Sequence, residues 1–232
     1  MLSFKGLQKT TLIDFPGKVA CTFFLAGCNF RCPFCYNANL VFDRGTGFEM
    51  GETQALEFLS GRKGFLDGIC ITGGEPLLHP LEEFLKKVKA LGLLAKLDTN
   101  GSMPEALKSL LGKGLLDFVS MDVKSGPGGY EKAAGTKVDL EKIGQSISLI
   151  RNSGIDYEFR CTVVPLLHRE KDLLEMGEWL KGSKRLFLQQ FNSSVPLLDV
   201  SLQGTRPFSA EEMRHFAVLL KPFFGEVGLR GI

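Results

Sequence analysis

Three cysteines fall within eight residues, as Cys28-Asn-Phe-Arg-Cys32-Pro-Phe-Cys35. Soft thiolates at this density select zinc, copper(I) or an iron-sulfur cluster, and the segment joining them is too short for anything but a turn that wraps a metal. The number of ligands narrows the choice. A structural zinc ion takes four protein ligands, whereas three thiolates on a four-iron cube leave one iron open to an exogenous ligand. No second cysteine pair and no His lies near the loop, so the incompletely ligated cube is the economical reading. The competing reading is a zinc-binding module without catalysis, completed by a distant His79, His168 or His215.

Cys21, Cys70 and Cys161 lie instead inside apolar runs such as Gly68-Ile-Cys-Ile, and read as buried small hydrophobes. Further polar residues follow the ends of these runs: Gly73-Gly74-Glu75-Pro76, Asp98-Thr-Asn-Gly101, Asp122-Val-Lys124, Arg160 to Pro165, and Gln189-Gln-Phe-Asn192. Strand side chains alternate faces, so Asp122 and Lys124 share a face, as do Arg160 and Thr162, and likewise Gln190 and Asn192. A face built only for packing carries Val, Ile or Leu. Two acids (Asp98, Asp122), two bases (Lys124, Arg160) and an amide stand here instead, and buried charge is costly unless paired or liganded. Taken singly, each reads equally well as a structural ion pair or a solvated strand end. Together they suit a zwitterionic, hydroxyl-rich ligand, such as an amino acid attached to a ribose. Glu75 can accept a hydrogen bond from a ligand ammonium, with Gly73 and Gly74 allowing close backbone approach. Phe34, directly before the third cysteine, either packs beside a planar base or shields the metal loop from water.

A scaffold of alternating strands and helices must hold these groups. Strand signals rich in Val, Ile, Leu or Phe run at 18–25, 68–72, 93–98, 117–123, 156–164 and 185–191. Between them, Leu81, Phe84, Leu85, Val88 and Leu91, and again Leu140, Ile143, Ile147 and Ile150, recur at helical spacing. Weaker stripes cover 53–60, 105–111, 172–180 and 211–220. The repetition predicts an α/β fold of parallel strands joined by right-handed crossovers, either an open sheet or an incomplete barrel. Reactive groups gather at the C-terminal ends of such strands, where the unusual residues of this chain fall. One domain is expected over 1–232: a cap or small hairpin over 1–17, a barrel core over 18–192 and a C-terminal extension over 193–232. The composition is 44% hydrophobic and 23% charged, with a net charge of +2, which gives no electrostatic support for nucleic-acid binding. No apolar run reaches the roughly 18 residues that span a bilayer. A cytoplasmic protein without membrane contact is therefore expected, its cysteines serving metal binding or burial rather than disulfides.

The Cys-x3-Cys-x-aromatic-Cys loop followed by Gly-Gly-Glu-Pro resembles the radical S-adenosylmethionine (SAM) superfamily over nearly the whole chain. The resemblance implies a partial (β/α)6 barrel with a [4Fe-4S] cluster on Cys28, Cys32 and Cys35, and SAM chelating the fourth iron. It further implies that Gly73, Gly74 and Glu75 contact the SAM amino group, while Asp98, Asp122, Lys124 and Arg160 hold its ribose and carboxylate. Asn192 stands where pyruvate formate-lyase activating enzymes carry a His near the sixth strand's end. Some relatives bind a monovalent cation near the aspartates; none is expected here.

Within that superfamily, Asp122-Val-Lys124, Asp98-Thr-Asn-Gly and Arg160 with Val163-Val164-Pro165 are similar to the glycyl-radical-enzyme activating proteins. The opening Phe4-Lys-Gly-Leu-Gln-Lys-Thr-Thr-Leu-Ile-Asp-Phe-Pro-Gly-Lys is similar to the short activating proteins of anaerobic ribonucleoside-triphosphate reductase. The implied function is reductive SAM cleavage and hydrogen abstraction from a glycine of that reductase, with a flavodoxin or ferredoxin as electron donor. The alternatives are a pyruvate formate-lyase-type activase and a small-molecule enzyme such as 7-carboxy-7-deazaguanine synthase.

Overall fold

The computed structural model describes residues 2–44 and 47–232, which form ten strands and eight α-helices. In chain order they are β1 (Ser3–Phe4), β2 (Gly6–Thr11), β3 (Ala20–Leu25), α1 (Ala38–Val41), β4 (Met50–Gly51), α2 (Glu52–Ser60), β5 (Gly68–Gly73) and α3 (Glu82–Ala90). There follow β6 (Leu94–Thr99), α4 (Pro104–Gly112), β7 (Phe118–Asp122), α5 (Tyr130–Ala134), α6 (Leu140–Asn152), β8 (Asp156–Val163), α7 (Glu170–Trp179), β9 (Ser183–Gln190), α8 (Ala210–Leu220) and β10 (Phe224–Arg230). Eight strands make one sheet in the order β10-β9-β8-β7-β6-β5-β3-β2. All neighbours in it are parallel except β2 against β3. Six strand expectations and six helix expectations are met within a few residues at their ends.

Two strands lie beyond those expectations. β2 extends the sheet at one edge, where the opening segment pairs antiparallel with β3. β10 extends the other edge, pairing parallel with β9 from Phe224 against Ser183 to Arg230 against Gln189. Its two glycines hide it from pattern reading, and one has a packing reason: a Cβ at Gly228 would lie 2.3 Å from the Phe187 ring.

The period-two alternation divides the strands into two environments. Outward residues such as Phe23, Ile69, Ile71, Leu97, Val119 and Phe159 are fully buried against the helices and form the main apolar core. The helices answer with their stripes. On α3, Phe84, Leu85 and Val88 are buried, while Glu82 and Glu83 in the first turn and Lys87 and Lys89 in the last complement the helix dipole. α6 starts at Asp139, whose side chain caps the Glu141 and Lys142 amides, and buries Ile143, Ile147 and Ile150. On the concave face, Phe15, Ala20 and Phe118 with Leu94 form a separate small cluster that plugs one end. Above that plug the interior turns polar. Among the described residues no helix is long and apolar enough to cross a membrane.

Candidate active site

At the C-terminal ends of the parallel strands a cavity of about 250 Å³ is lined by Cys28, Cys32 and Cys35 together with Asp98, Asp122, Lys124 and Arg160. The cysteine loop leaves β3 and is held by backbone bonds from three directions. Gly27 N–H donates to Leu40 O (2.7 Å), Arg31 N–H to Ala134 O at the end of α5 (2.8 Å), and Leu198 and Asp199 N–H to Cys35 O and Pro33 O (3.0 and 2.9 Å). The Arg31 guanidinium donates to the carbonyls of Cys28 and Phe30. Gly135, at φ +66, makes the α5 contact possible, since a Cβ there would fall 2.0 Å from Arg31 O.

Burial raises the pKa of all three thiols, and pushes Cys32 up to about 11. A thiol in this state stays protonated until a metal draws the proton off. Among the described residues no three His, Cys, Asp or Glu side chains converge tightly enough to hold one metal ion. The three thiols line one shared space, and three thiolates are a donor set that suits an iron-sulfur cluster. Cys28 Sγ accepts from Phe30 N–H at 3.4 Å and from Asn100 Nδ2 at 3.9 Å.

The two glycines at the end of β5 have a structural explanation. A Cβ on Gly73, which has φ +118, would fall 2.3 Å from Leu25 O, and one on Gly74 would fall 1.9 Å from Gly27 O. Gly74 N–H donates to Leu25 O (2.7 Å) and Glu75 N–H to Gly27 O (2.8 Å), so the glycine turn is zipped to the base of the cysteine loop. Both glycines line the cavity. Glu75 does not. It is fully buried, and its carboxylate accepts from Leu77 N–H (3.1 Å), Thr99 Oγ1 (2.7 Å) and Asn100 N–H (2.7 Å), tying the end of β5 to that of β6. Burial pushes Glu75 up to about 7 although these donors favour the charged form.

Below the cysteines, side chains from β6, β7 and β8 form a ladder of alternating charge. Lys96 donates to Asp98 Oδ1; Asp98 Oδ2 pairs with Arg160 Nη1 (3.2 Å); Arg160 Nε donates to Asp122 Oδ1 (2.8 Å); Asp122 Oδ2 lies 3.3 Å from Lys124 Nζ. The register explains the meeting, because Asp122 lies opposite Arg160, and Asp98 opposite Ser120 one pleat below. Burial would raise both aspartates, but Arg160 with Lys96 or Lys124 outweighs it, leaving Asp98 below its ordinary range and Asp122 at about 2. Burial would lower Lys124 and Arg160; their carboxylate neighbours outweigh it and raise both. All four are charged at neutral pH.

Phe34 is buried and lines the cavity, beside thiols and within reach of a ligand. Asn192 lies apart from it. Its side chain is exposed and its Oδ1 accepts from Ser194 N–H, while its backbone N–H donates to the Tyr36 hydroxyl (2.8 Å). Thr162 and Gln189, paired across β8 and β9, line the wall instead. Asn100 and Gln189 lie in strand ends marked by the sequence without a role of their own, and Lys96, which period two from Asp98 reaches, lies outside those segments. The histidines offered for zinc are engaged elsewhere. His168 accepts from Val164 N–H through Nδ1 (2.9 Å) and donates through Nε2 to Lys124 O (2.7 Å), His79 Nε2 bonds Ala26 O (2.7 Å), and exposed His215 pairs with Glu170. Cys21, Cys70 and Cys161 are buried.

The family model of the radical SAM superfamily matches residues 22–180. A protein of Methanocaldococcus jannaschii, provisionally named a glycyl-radical enzyme activating enzyme, is 30% identical over 234 residues, covering 98% of this chain and 95% of that protein. The 7-carboxy-7-deazaguanine synthase of Hyperthermus butylicus is 40% identical over 82 residues, 34% of either chain. Among solved structures, Streptococcus suis SuiB bound to its precursor peptide SuiA superposes with a TM-score of 0.70 at 11% identity, over 90% of this chain and 48% of that one. At that identity the likeness is one of fold alone.

Proposed function

We propose that this protein, which belongs to the radical SAM superfamily, is an activase that abstracts hydrogen from a glycine of a partner glycyl-radical enzyme. The family works with a [4Fe-4S] cluster and SAM. Cys28, Cys32 and Cys35 are the residues that would hold the cluster, and the cavity they line would hold SAM. Bound there and given one electron, the pair would supply reductive cleavage of the SAM sulfonium bond and so the hydrogen-abstracting power that the proposed reaction needs. The chain's own part is binding, orientation and exclusion of water. In this reading the cations Lys124 and Arg160 face the SAM carboxylate, Asp98 and Asp122 accept from its ribose hydroxyls, and the Gly73-Gly74 backbone and Phe34 complete the wall. Glu75 acts through the loop it braces. Asn192 would serve by anchoring Tyr36 at the rim of the site, not by touching SAM.

The observation that carries the reading is the convergence of three thiols and a four-strand set of polar side chains on one cavity. The partner class rests on full-length similarity to the archaeal relative. Anaerobic ribonucleoside-triphosphate reductase is the partner proposed, from the opening stretch Phe4 to Lys18. Cys21, Cys70 and Cys161 are buried in strands and cannot serve a second cluster, so the electron comes from a separate cytoplasmic donor such as flavodoxin or ferredoxin. A second reading, a small-molecule substrate, is favoured by the 82-residue match to 7-carboxy-7-deazaguanine synthase. Deuterium transfer decides between them. The reconstituted, reduced protein is mixed with SAM and a reductase deuterated at glycine, and label is sought in 5'-deoxyadenosine. Label in the nucleoside is the expected result; SAM cleavage without label from any glycyl-radical enzyme of the host refutes the activase.

A further inference from the structure

Lys96 is among the largest fully enclosed side chains of the protein, with 1% of it exposed. It is not among the residues lining the cavity, and besides Asp98 its ammonium meets, among the described residues, Cys70 Sγ at 3.7 Å and the Phe118 ring at 5.9 Å. An enclosed ammonium costs several kcal/mol unless its partner repays it, so packing alone would be better met by Met or Leu. Its partner Asp98 has, like Asp122, a cation on each oxygen: Lys96 on Oδ1 and Arg160 on Oδ2. Without Lys96, Asp98 would keep only the 3.2 Å contact with Arg160, whose Nε is already given to Asp122, while Asp122 would still have Lys124 as well. Asp98 would then lose the fixed orientation that its place in the cavity wall requires.

We propose that Lys96 is a positioning residue of the SAM site, a cation built into β6 that locks Asp98, and through it Arg160, in the arrangement that receives the ligand. This rests on SAM occupying the cavity, as proposed above. Lys96 touches no ligand itself and acts through Asp98.

The test uses the cluster-loaded protein and reads the SAM dissociation constant, alongside the melting temperature of the same samples. Lys96→Met is expected to bind SAM at least tenfold more weakly. Lys96→Ala is expected to do the same and to regain part of its affinity in propylammonium chloride, which replaces the missing ammonium, but not in tetramethylammonium chloride of equal ionic strength. A folded Lys96→Met with affinity within twofold of wild type overturns the proposal, as does a loss in Lys96→Ala that propylammonium leaves unrelieved. Should loss of the Lys96 ammonium beside buried Asp98 unfold the single variants, Lys96→Met with Asp98→Asn removes both charges. That double variant is expected to bind SAM as weakly as Asp98→Asn alone, and a further tenfold loss refutes action through Asp98. Wild-type protein that carries the cluster yet binds no SAM sinks the functional reading itself, before any variant is compared.

Discussion

Arg230 lies on the last strand of the sheet and reaches into the interior, where its guanidinium donates to both oxygens of Glu158 at 2.9 and 2.8 Å. The Glu158 side chain is only 2% exposed, and its other partner is the Ser120 hydroxyl at 2.9 Å. Replacing Arg230 by Met keeps most of the stem's packing over Phe187 and leaves the carboxylate with one neutral donor. Breaking a buried pair in this one-sided way costs about 3–5 kcal/mol. The low end applies, because 32% of the Arg230 side chain meets water, which can follow into the space. Loss of the guanidinium from above the Phe187 ring, 4.0 Å away, adds about 0.5–1 kcal/mol. With each kcal/mol lowering the melting temperature by about 2–4 °C in a chain of this size, the metal-free variant should melt roughly 7–16 °C below wild type in a circular-dichroism scan. Arg230→Met with Glu158→Gln removes the stranded charge and should recover most of the loss. A single variant that melts within about 2 °C of wild type, or a double variant no better than the single, refutes the claim that β10 is locked to the barrel through Glu158.

Alanine at Cys28, Cys32 or Cys35 should each abolish SAM cleavage and lower iron and sulfide content while the far-ultraviolet circular dichroism spectrum stays native; cleavage by any of the three contradicts the ligand assignment. Glu75→Ala strands the donors of Leu77, Thr99 and Asn100 and should cost on the order of 3 kcal/mol in urea unfolding, so unchanged stability would show those donors to be satisfied otherwise. Gly74→Ala would drive a Cβ to 1.9 Å from Gly27 O, and should reduce cluster loading by displacing the cysteine loop; normal iron content would refute the zipper between the loops. Because Asp122 is held at about 2, below its ordinary 3.8, the stability it contributes is complete above that ordinary value and lost as pH falls toward 2. An acid titration of Asp122→Asn should therefore be flatter between pH 4 and 2 than that of wild type, and an equal slope counts against the ladder.

The parts of this protein that could be read from its sequence are those set by neighbours along the chain. Cysteine spacing, period-two strands and the stripes of α3 and α6 depend on contacts a few residues apart, and there expectation and structure agree. β2 and β10 were not legible, because the first is polar over most of its length and the second is interrupted by glycines. Each becomes a strand by pairing with an edge already formed. The pattern Gly73-Gly74 suggests close approach to a ligand, and the fold shows both glycines also serving the approach of one backbone to another.

The thiol trio, the superfamily pattern and the strand ends that carry charge were determined by the sequence alone, since each is a local arrangement of residue types. Which charge meets which was decided only by the fold. Glu75 finds its donors 24 and 25 positions away, Asp98 finds Arg160 at 62, and Glu158 finds Arg230 at 72. Such pairs exist because strand order and register bring distant residues to the same height of one sheet, and no pattern along the chain encodes that height.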